Sequence, residues 1–321
     1  MKEEIMSLRK IRKKWAVIVL AAIGVALLIF GAVWVTVIFP ALNKIPADLK
    51  SVTYQQGTVT VFDSNTYQPV TYNVIGTRSY DAVRCIGDVV YLEEDISFID
   101  ANTGQEIPSL HSNVLMAIDR VSRANVPGYG DQDREGYWSF PRDVKADQDY
   151  PFWITGSPVT LDAKYYGEED FRGLHVLVFE ITTPEEGVTV PAGLFTPQMQ
   201  LYQYIKMKVE PVSGVTVYFE STTTRTAKIP VFDSVTGEMT FSDVTMYADS
   251  LTFTEGTIAQ LVHDARFYHW ALPWGSTYLP WLVFGLGAAL VVLGLILLTR
   301  RAREAPAVEY VHPEDLVRVG N

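Results

Sequence analysis

Residues 281–298 read WLVFGLGAALVVLGLILL, eighteen positions without a charge or a strongly polar group. As α-helix they span about 27 Å, close to the hydrocarbon thickness of a bilayer. Arg300, Arg301 and Arg303 follow directly, and a basic edge of this kind sets orientation. A second apolar run, Trp15–Phe39, covers 25 residues and follows the tail MKEEIMSLRKIRKK, which holds Lys10, Arg12, Lys13 and Lys14. A secretory signal has an apolar core of only about 7–15 residues, so this first run reads as an uncleaved signal anchor. Two runs make the intervening chain a domain tethered at both ends.

The net charge of the 321 residues is −11, and its distribution is uneven. Residues 41–277 hold 16 basic and 31 acidic groups, a net of −15. Basic membrane edges around an acidic middle predict cytoplasmic termini and an extracytoplasmic centre in the plasma membrane. An acidic domain lacks the basic face that nucleic acid requires. A single cysteine, Cys85, excludes an internal disulfide or a CxxC site, and no N-x-[ST] sequon is present. The expected plan is a cytoplasmic tail (1–14), a transmembrane helix (15–39), an extracytoplasmic β-rich domain (40–278), a second transmembrane helix (279–299) and a cytoplasmic tail (300–321).

From residue 51 the texture becomes β. Val52, Tyr54, Val59, Val61, Tyr72 and Val74 alternate with polar residues, and similar runs return as far as residue 253. The fold class expected is mainly β: an antiparallel sheet, barrel-like or sandwich, flanked by two transmembrane α-helices. One local pattern recurs: a strand end, an acid, two residues, Thr or Ser, then usually Gly. It starts at Asp63, Asp100, Glu210 and Asp233, with Gly104, Gly214 and Gly237 closing the last three. A carboxylate that accepts turn N–H groups, followed by a left-handed Gly, is hairpin chemistry. Residues 126–158 are rich in Pro, Gly, Asp and aromatics, and read as an ordered loop whose rings plug the β core. Thr254 is a helix N-cap ahead of Ile258, Leu261, Val262 and Ala265 at helical spacing, so a helix is expected over about 255–270. Trp270, Trp274, Tyr278 and Trp281, with Trp15 and Trp34 in the first run, have the character of membrane-interface anchors. Ala22, Gly24, Ala26 and Gly31 are small residues of the first run, and the second run offers Gly285, Gly287, Ala289 and Gly294. The Gly285/Ala289 pair offers a small-residue helix face, for the other helix or for a second copy in a homo-oligomer.

No nucleotide-binding, zinc-protease or serine-hydrolase motif occurs, so neither an enzyme nor a cofactor is expected. Asp131, Asp133 and Glu135 with Gly136 match the opening of a calcium loop. Arg142 stands where the bidentate acid is needed, so these three read first as a solvated acidic loop and no metal is assigned.

Tyr137-Trp138-Ser139-Phe140-Pro141, Tyr150-Pro151-Phe152-Trp153, Tyr166-Gly167-Glu168-Glu169, Gly173-Leu174, Val178-Phe179-Glu180 and Lys208-Val209-Glu210-Pro211-Val212-Ser213-Gly214 together carry a resemblance. The chain resembles the PorA-type porin family, two-anchor envelope proteins of actinobacteria and related prokaryotes, once called a domain of unknown function. It departs at Ile154-Thr155, where an acidic residue is expected. The resemblance implies a channel, with no catalytic residues to carry over. Two uncharged helices per chain enclose no pore, so a channel requires an oligomer, and its acidic domain would favour cations. The other reading is a β domain that holds a lipid or other apolar ligand beside the bilayer, as a carrier or sensor.

Overall fold

The computed structural model describes residues 2–63, 66, 68–190, 198–232 and 239–303. They form two compact units: Leu42–Leu272, and the described parts of Met1–Ala41 and Pro273–Asn321.

In the helical unit, α1 (Lys2–Val33) continues through a π-helical turn (Trp34–Ile38) into α2 (Phe39–Leu42). A second π-helical turn (Trp274–Tyr278) leads into α4 (Leu279–Arg303). Both apolar segments are long enough to cross a membrane. The two π turns share a cause. Pro40 and Pro280 each lie six residues after the tryptophan that opens the turn. Proline lacks an N–H, and its ring collides with the carbonyl four residues back. Widening the turn relieves this, so Phe39 N–H bonds to Trp34 O and Leu279 N–H to Trp274 O.

α1 and α4 run antiparallel along buried positions seven residues apart: Val17, Gly24 and Gly31 against Pro280, Gly287 and Gly294. A seven-residue repeat is the signature of left-handed helix pairing. A Cβ on Gly24 would lie 2.8 Å from Gly287 O, and one on Gly287 would lie 2.9 Å from Gly24 O. The backbones therefore touch where both helices lack a side chain. The Gly285/Ala289 face singled out from the sequence is elsewhere: both residues are exposed, and a Cβ on Gly285 would meet nothing within 4 Å. Trp34 Nε1 donates to Gly275 O at 2.9 Å.

The other unit is antiparallel β. Its strands are β1 (Lys50–Asp63), β2 (Gln68–Ile86), β3 (Val89–Asp100), β4 (Ser112–Asp119), β5 (Asn125–Gly130) and β6 (Tyr150–Trp153). They continue with β7 (Thr160–Phe171), β8 (Leu174–Thr182), β9 (Val188–Val190), β10 (Met199–Glu210), β11 (Val215–Phe232) and β12 (Met239–Phe253). The order across the sheet is β5-β4-β3-β2-β1-β12-β11-β10-β8-β7-β6, with β9 beside β10. Most connections are hairpins between sequence neighbours, while β1 and β12 pair across the whole unit, from Gln55↔Phe253 to Val61↔Tyr247. The strands are longer than the short runs suggest, up to 19 residues in β2. Gly76 lies within β2 under the Phe98 ring, whose nearest atom would be 2.6 Å from a Cβ there.

The ladder is open, but its two edges meet at one residue. Tyr137 bridges Ala124, next to β5, and Phe152 in β6. Asn125 N–H donates to Gly136 O at 2.8 Å, Trp138 N–H to Arg123 O at 3.0 Å, and Tyr137 N–H to Pro151 O at 2.6 Å. This segment ties the sheet round on itself and satisfies edge groups that would otherwise be left open. It also explains the aromatic stretch. Phe140, Tyr150 and Phe152 pack with Phe179, Ile181 and Val209 as a fully buried cluster, and Phe140 lies 4.8 Å from the Phe152 and Phe179 rings.

α3 (Glu255–Pro273) follows β12. Thr254 caps it, accepting from Thr257 N–H at 3.3 Å, and Ile258, Val262 and Ala265 bury against Leu174, Val176 and Val217.

Candidate functional site

The sheet encloses a cavity of about 720 Å³. This lies within the roughly 300–1,000 Å³ typical of small-molecule sites. Its wall has the period of a strand. Ser51, Thr53 and Gln55 come from β1, Gln203, Ile205 and Met207 from β10, Phe219, Ser221, Thr223 and Arg225 from β11, and Tyr247, Asp249, Leu251 and Phe253 from β12. Alternate residues point to one side of a sheet, so a single continuous face lines the space. Ile96, Phe98, Ile154 and Ile181 add apolar wall, and Leu261, Tyr268 and Leu272 of α3 contribute as well.

Charged groups interrupt this wall in two regions. In one, Arg78 Nε donates to the fully buried Glu94 at 2.5 Å, and Arg78 Nη2 donates to Thr155 Oγ1 at 3.1 Å. Burial opposes the Arg78 charge, but Glu94 beside it holds the guanidinium above its ordinary value. Arg225 stacks over the Tyr247 ring at 4.8 Å. Burial pulls Arg225 down and pushes Asp249 and Tyr247 up. Gln203 Nε2 donates to Thr223 Oγ1 at 3.0 Å, so the wall between these groups is partly satisfied internally.

The second region holds Arg123, Trp138 and Arg142 beside Tyr268. Arg123 Nη1 donates to Phe140 O at 2.7 Å. Burial, and then the neighbouring Arg142 charge, pull Arg123 down to about 10. Burial lowers Arg142 as well. Among the described residues Arg142 Nη1 is buried without an acceptor, and Trp138 lies half-buried beside the Tyr80 ring, 5.1 Å away.

Arg123 sits in a turn that sequence reading missed. Asp119 Oδ1 accepts from Val121 N–H at 3.1 Å, Ser122 N–H at 2.7 Å and Ser122 Oγ at 2.8 Å. Arg123 then takes φ +65°, the left-handed position that Gly holds in the related turns. The acid and the serine were readable signals, but arginine in the closing position hid the turn. The sequence-identified turns have the same geometry. Asp100 accepts from Asn102 N–H at 2.9 Å and Thr103 Oγ1 at 3.0 Å, and Gly104 has φ +70°. Asp63 accepts from Thr66 Oγ1 at 3.0 Å. Asp233 and Gly237 lie outside the described residues.

Glu210 does more than close its turn. It is fully buried and accepts from Ser213 N–H at 2.8 Å, Ser213 Oγ at 2.6 Å and Val212 N–H at 3.2 Å. His269 Nδ1 of α3 lies 2.7 Å from its Oε1, which ties the helix to the β10–β11 turn. Gly214, φ +71°, closes that turn against the 140–141 backbone, where a Cβ would lie 2.0 Å from Pro141 O.

The three calcium-loop candidates do not converge. Asp131 takes Arg134 Nη1 at 2.5 Å, and Asp133 accepts from Gly128 N–H at 2.7 Å. Glu135 uses its backbone carbonyl, towards Asn125. Among the described residues no group of three or more His, Cys, Asp or Glu could hold a metal ion. Of the aromatic residues expected as interface anchors, Trp15, Trp270, Trp274, Tyr278 and Trp281 are exposed, while Trp34 is half-buried. Lys10, Arg12, Lys13 and Lys14 lie on α1, and Arg300, Arg301 and Arg303 in the last turns of α4.

A family model described as Porin PorA matches residues 16–296. No curated protein matches the chain. The chain belongs to the Porin PorA family, and this membership, with two helices long and apolar enough to span a bilayer, places it among membrane proteins.

Proposed function

We propose that this member of the Porin PorA family is a non-enzymatic, two-pass membrane protein whose β unit holds an apolar or amphipathic ligand in its lumen. The observation that carries this is the cavity of about 720 Å³ lined by one continuous face of the sheet. A purely structural β domain fills such a space with side chains. Mixed apolar and hydroxyl lining suits a ligand with a long apolar body and polar substituents. In this reading residues 15–39 and 279–299 cross the plasma membrane, 40–278 lie outside, and 1–14 and 300–321 are cytoplasmic, with the basic edges setting the orientation. Trp15, Trp34, Trp270, Trp274, Tyr278 and Trp281 sit at the bilayer interface.

The test is to purify the full chain and identify lipid that survives delipidating washes. One tightly held molecule per chain is expected; a lipid-free chain that takes up none of the membrane extract defeats the proposal.

The family's porin description favours a second reading, an oligomeric channel. Among the described residues one chain supplies α1 and α4 as apolar spans, and these pack closely on each other, so a pore needs several copies. The net of −15 over residues 41–277 would then favour cations. Conductance steps in planar bilayers, with cation selectivity, would support it.

A further inference from the structure

The two charged regions of the lumen differ in one respect. Arg78 has Glu94 in contact at 2.5 Å, and Arg225 has Asp249 as a neighbour whose charge acts on it. Among the described residues Arg123 and Arg142 have no carboxylate in contact. Of the acids near them, Asp143 is exposed and acts only weakly on Arg142. Among the described residues Arg142 Nη1 is a buried donor with no acceptor; Arg225 Nε is another, but only Arg225 has a buried carboxylate, Asp249, for a neighbour, and Arg142 and Trp138 both line the cavity. Such donors are costly unless something accepts from them. Arg123 also holds a left-handed backbone, φ +65°, which an L side chain adopts at a cost of about 1–2 kcal/mol. A costly conformation that presents a charged side chain to a cavity is the pattern of a functional site.

Position along β11 separates Arg123 from Arg225, while Trp138 lies between the regions: its ring meets the Tyr80 ring at 5.1 Å, and Arg78 stacks over Tyr80 at 5.6 Å. Gly214, against which Arg123 packs, precedes β11, and Arg225 stands eleven residues further on. Eleven residues of strand cover at most about 36 Å. The space between is lined by Phe219, Leu251 and Phe253 among others.

We infer that Arg123, Arg142 and Trp138 form the head site for an anionic amphiphile, whose phosphate or carboxylate accepts from these donors while its apolar chain lies along the lumen. This rests on the reading of the lumen as a ligand site. Guanidinium groups are well suited to such oxyanions, because their donors are fixed in a planar fork.

The test uses the full chain in amphipol and two fluorescent probes, pyrene-tagged hexadecyl phosphate and the corresponding pyrene-tagged hexadecanol. The phosphate is expected to bind about tenfold tighter or more, the scale of charge-assisted hydrogen bonds. Arg142→Gln should weaken phosphate binding more than alcohol binding and so reduce this preference, while Arg142→Lys retains more of it. Millimolar inorganic phosphate should leave the probe in place. Equal affinity for both probes in the unmodified chain overturns the inference and leaves the lumen reading standing. That comparison needs no variant, so it decides even if Arg142→Gln fails to fold. Equal weakening of both probes by a folded Arg142→Gln overturns it as well. Displacement by inorganic phosphate would assign the site to a free anion rather than an amphiphile head. Failure of both probes to bind removes the lumen reading and the head site together.

Discussion

Glu210→Gln tests whether one buried carboxylate holds α3 against the sheet. Glu210 has no exposed surface and takes four donors: Ser213 N–H and Oγ on one oxygen, Val212 N–H and His269 Nδ1 on the other. Glutamine keeps one accepting oxygen and turns an –NH₂ toward the remaining donors. The oxygen should stay with Ser213, whose contacts are 2.8 and 2.6 Å, so Val212 and His269 lose their acceptor. The Val212 contact is long, at 3.2 Å. The His269 side chain is 55% exposed, so solvent screens its share. Allowing for that screening, and for the weakened acceptor left to Ser213, the loss comes to about 2–3 kcal/mol. For a unit of this size each kcal/mol shifts Tm by roughly 2–4 °C, so a fall of about 5–10 °C is expected. Thermal unfolding of the detergent-solubilised chain, followed by tryptophan fluorescence, reads it. His269→Gln should cost less than about 1 kcal/mol, as expected for a half-exposed partner. An unchanged Tm in Glu210→Gln, or a His269→Gln loss as large as that of Glu210→Gln, would refute this reasoning.

Other perturbations probe other parts of the chain. Phe140→Ala empties the centre of the aromatic cluster, where Phe140 is fully buried, and should cost about 3–5 kcal/mol by chemical denaturation. Gly24→Leu places a side chain where the facing Gly287 carbonyl lies 2.8 Å from a Cβ; disulfide cross-linking of Ala21→Cys with Gly294→Cys, in a Cys85→Ser background, should be efficient without it and fall sharply with it. The hydrogen bond that protonated His111 donates through Nε2 to Asp95, at 2.8 Å, raises the imidazole above 6.5. A raised folded value means that the pair's stabilisation is present below 6.5 and is lost as pH rises through the folded value. NMR titration should show this shift, and Asp95→Asn should abolish it.

Much of the architecture was legible because it rests on local chemistry. Alternating Val and Tyr announced strands, the Asp-x-x-Thr-Gly turn announced hairpins, and Thr254 announced the start of α3. The rest depends on pairing that no local pattern encodes. The tie through Tyr137 joins residues 124, 137 and 152, all in or beside stretches that read as loop. Arg123 hid its turn by standing where glycine is usual. The helix contact follows the seven-residue spacing of Gly24 and Gly31, not the close Gly285/Ala289 pair. The lumen appears only when the register of β10, β11 and β12 brings their alternate residues onto one face. The His269–Glu210 contact spans 59 residues of sequence, so no local pattern announces it.

The most direct measurement is native mass spectrometry of the full chain beside Ser221→Trp. Ser221 is 5% exposed and lines the cavity, so an indole there occupies the space a ligand would need. A one-to-one lipid adduct on the unmodified chain, lost from a folded Ser221→Trp, is the expected result. An adduct of equal abundance on both proteins, or none on the unmodified chain, would contradict a ligand-holding lumen.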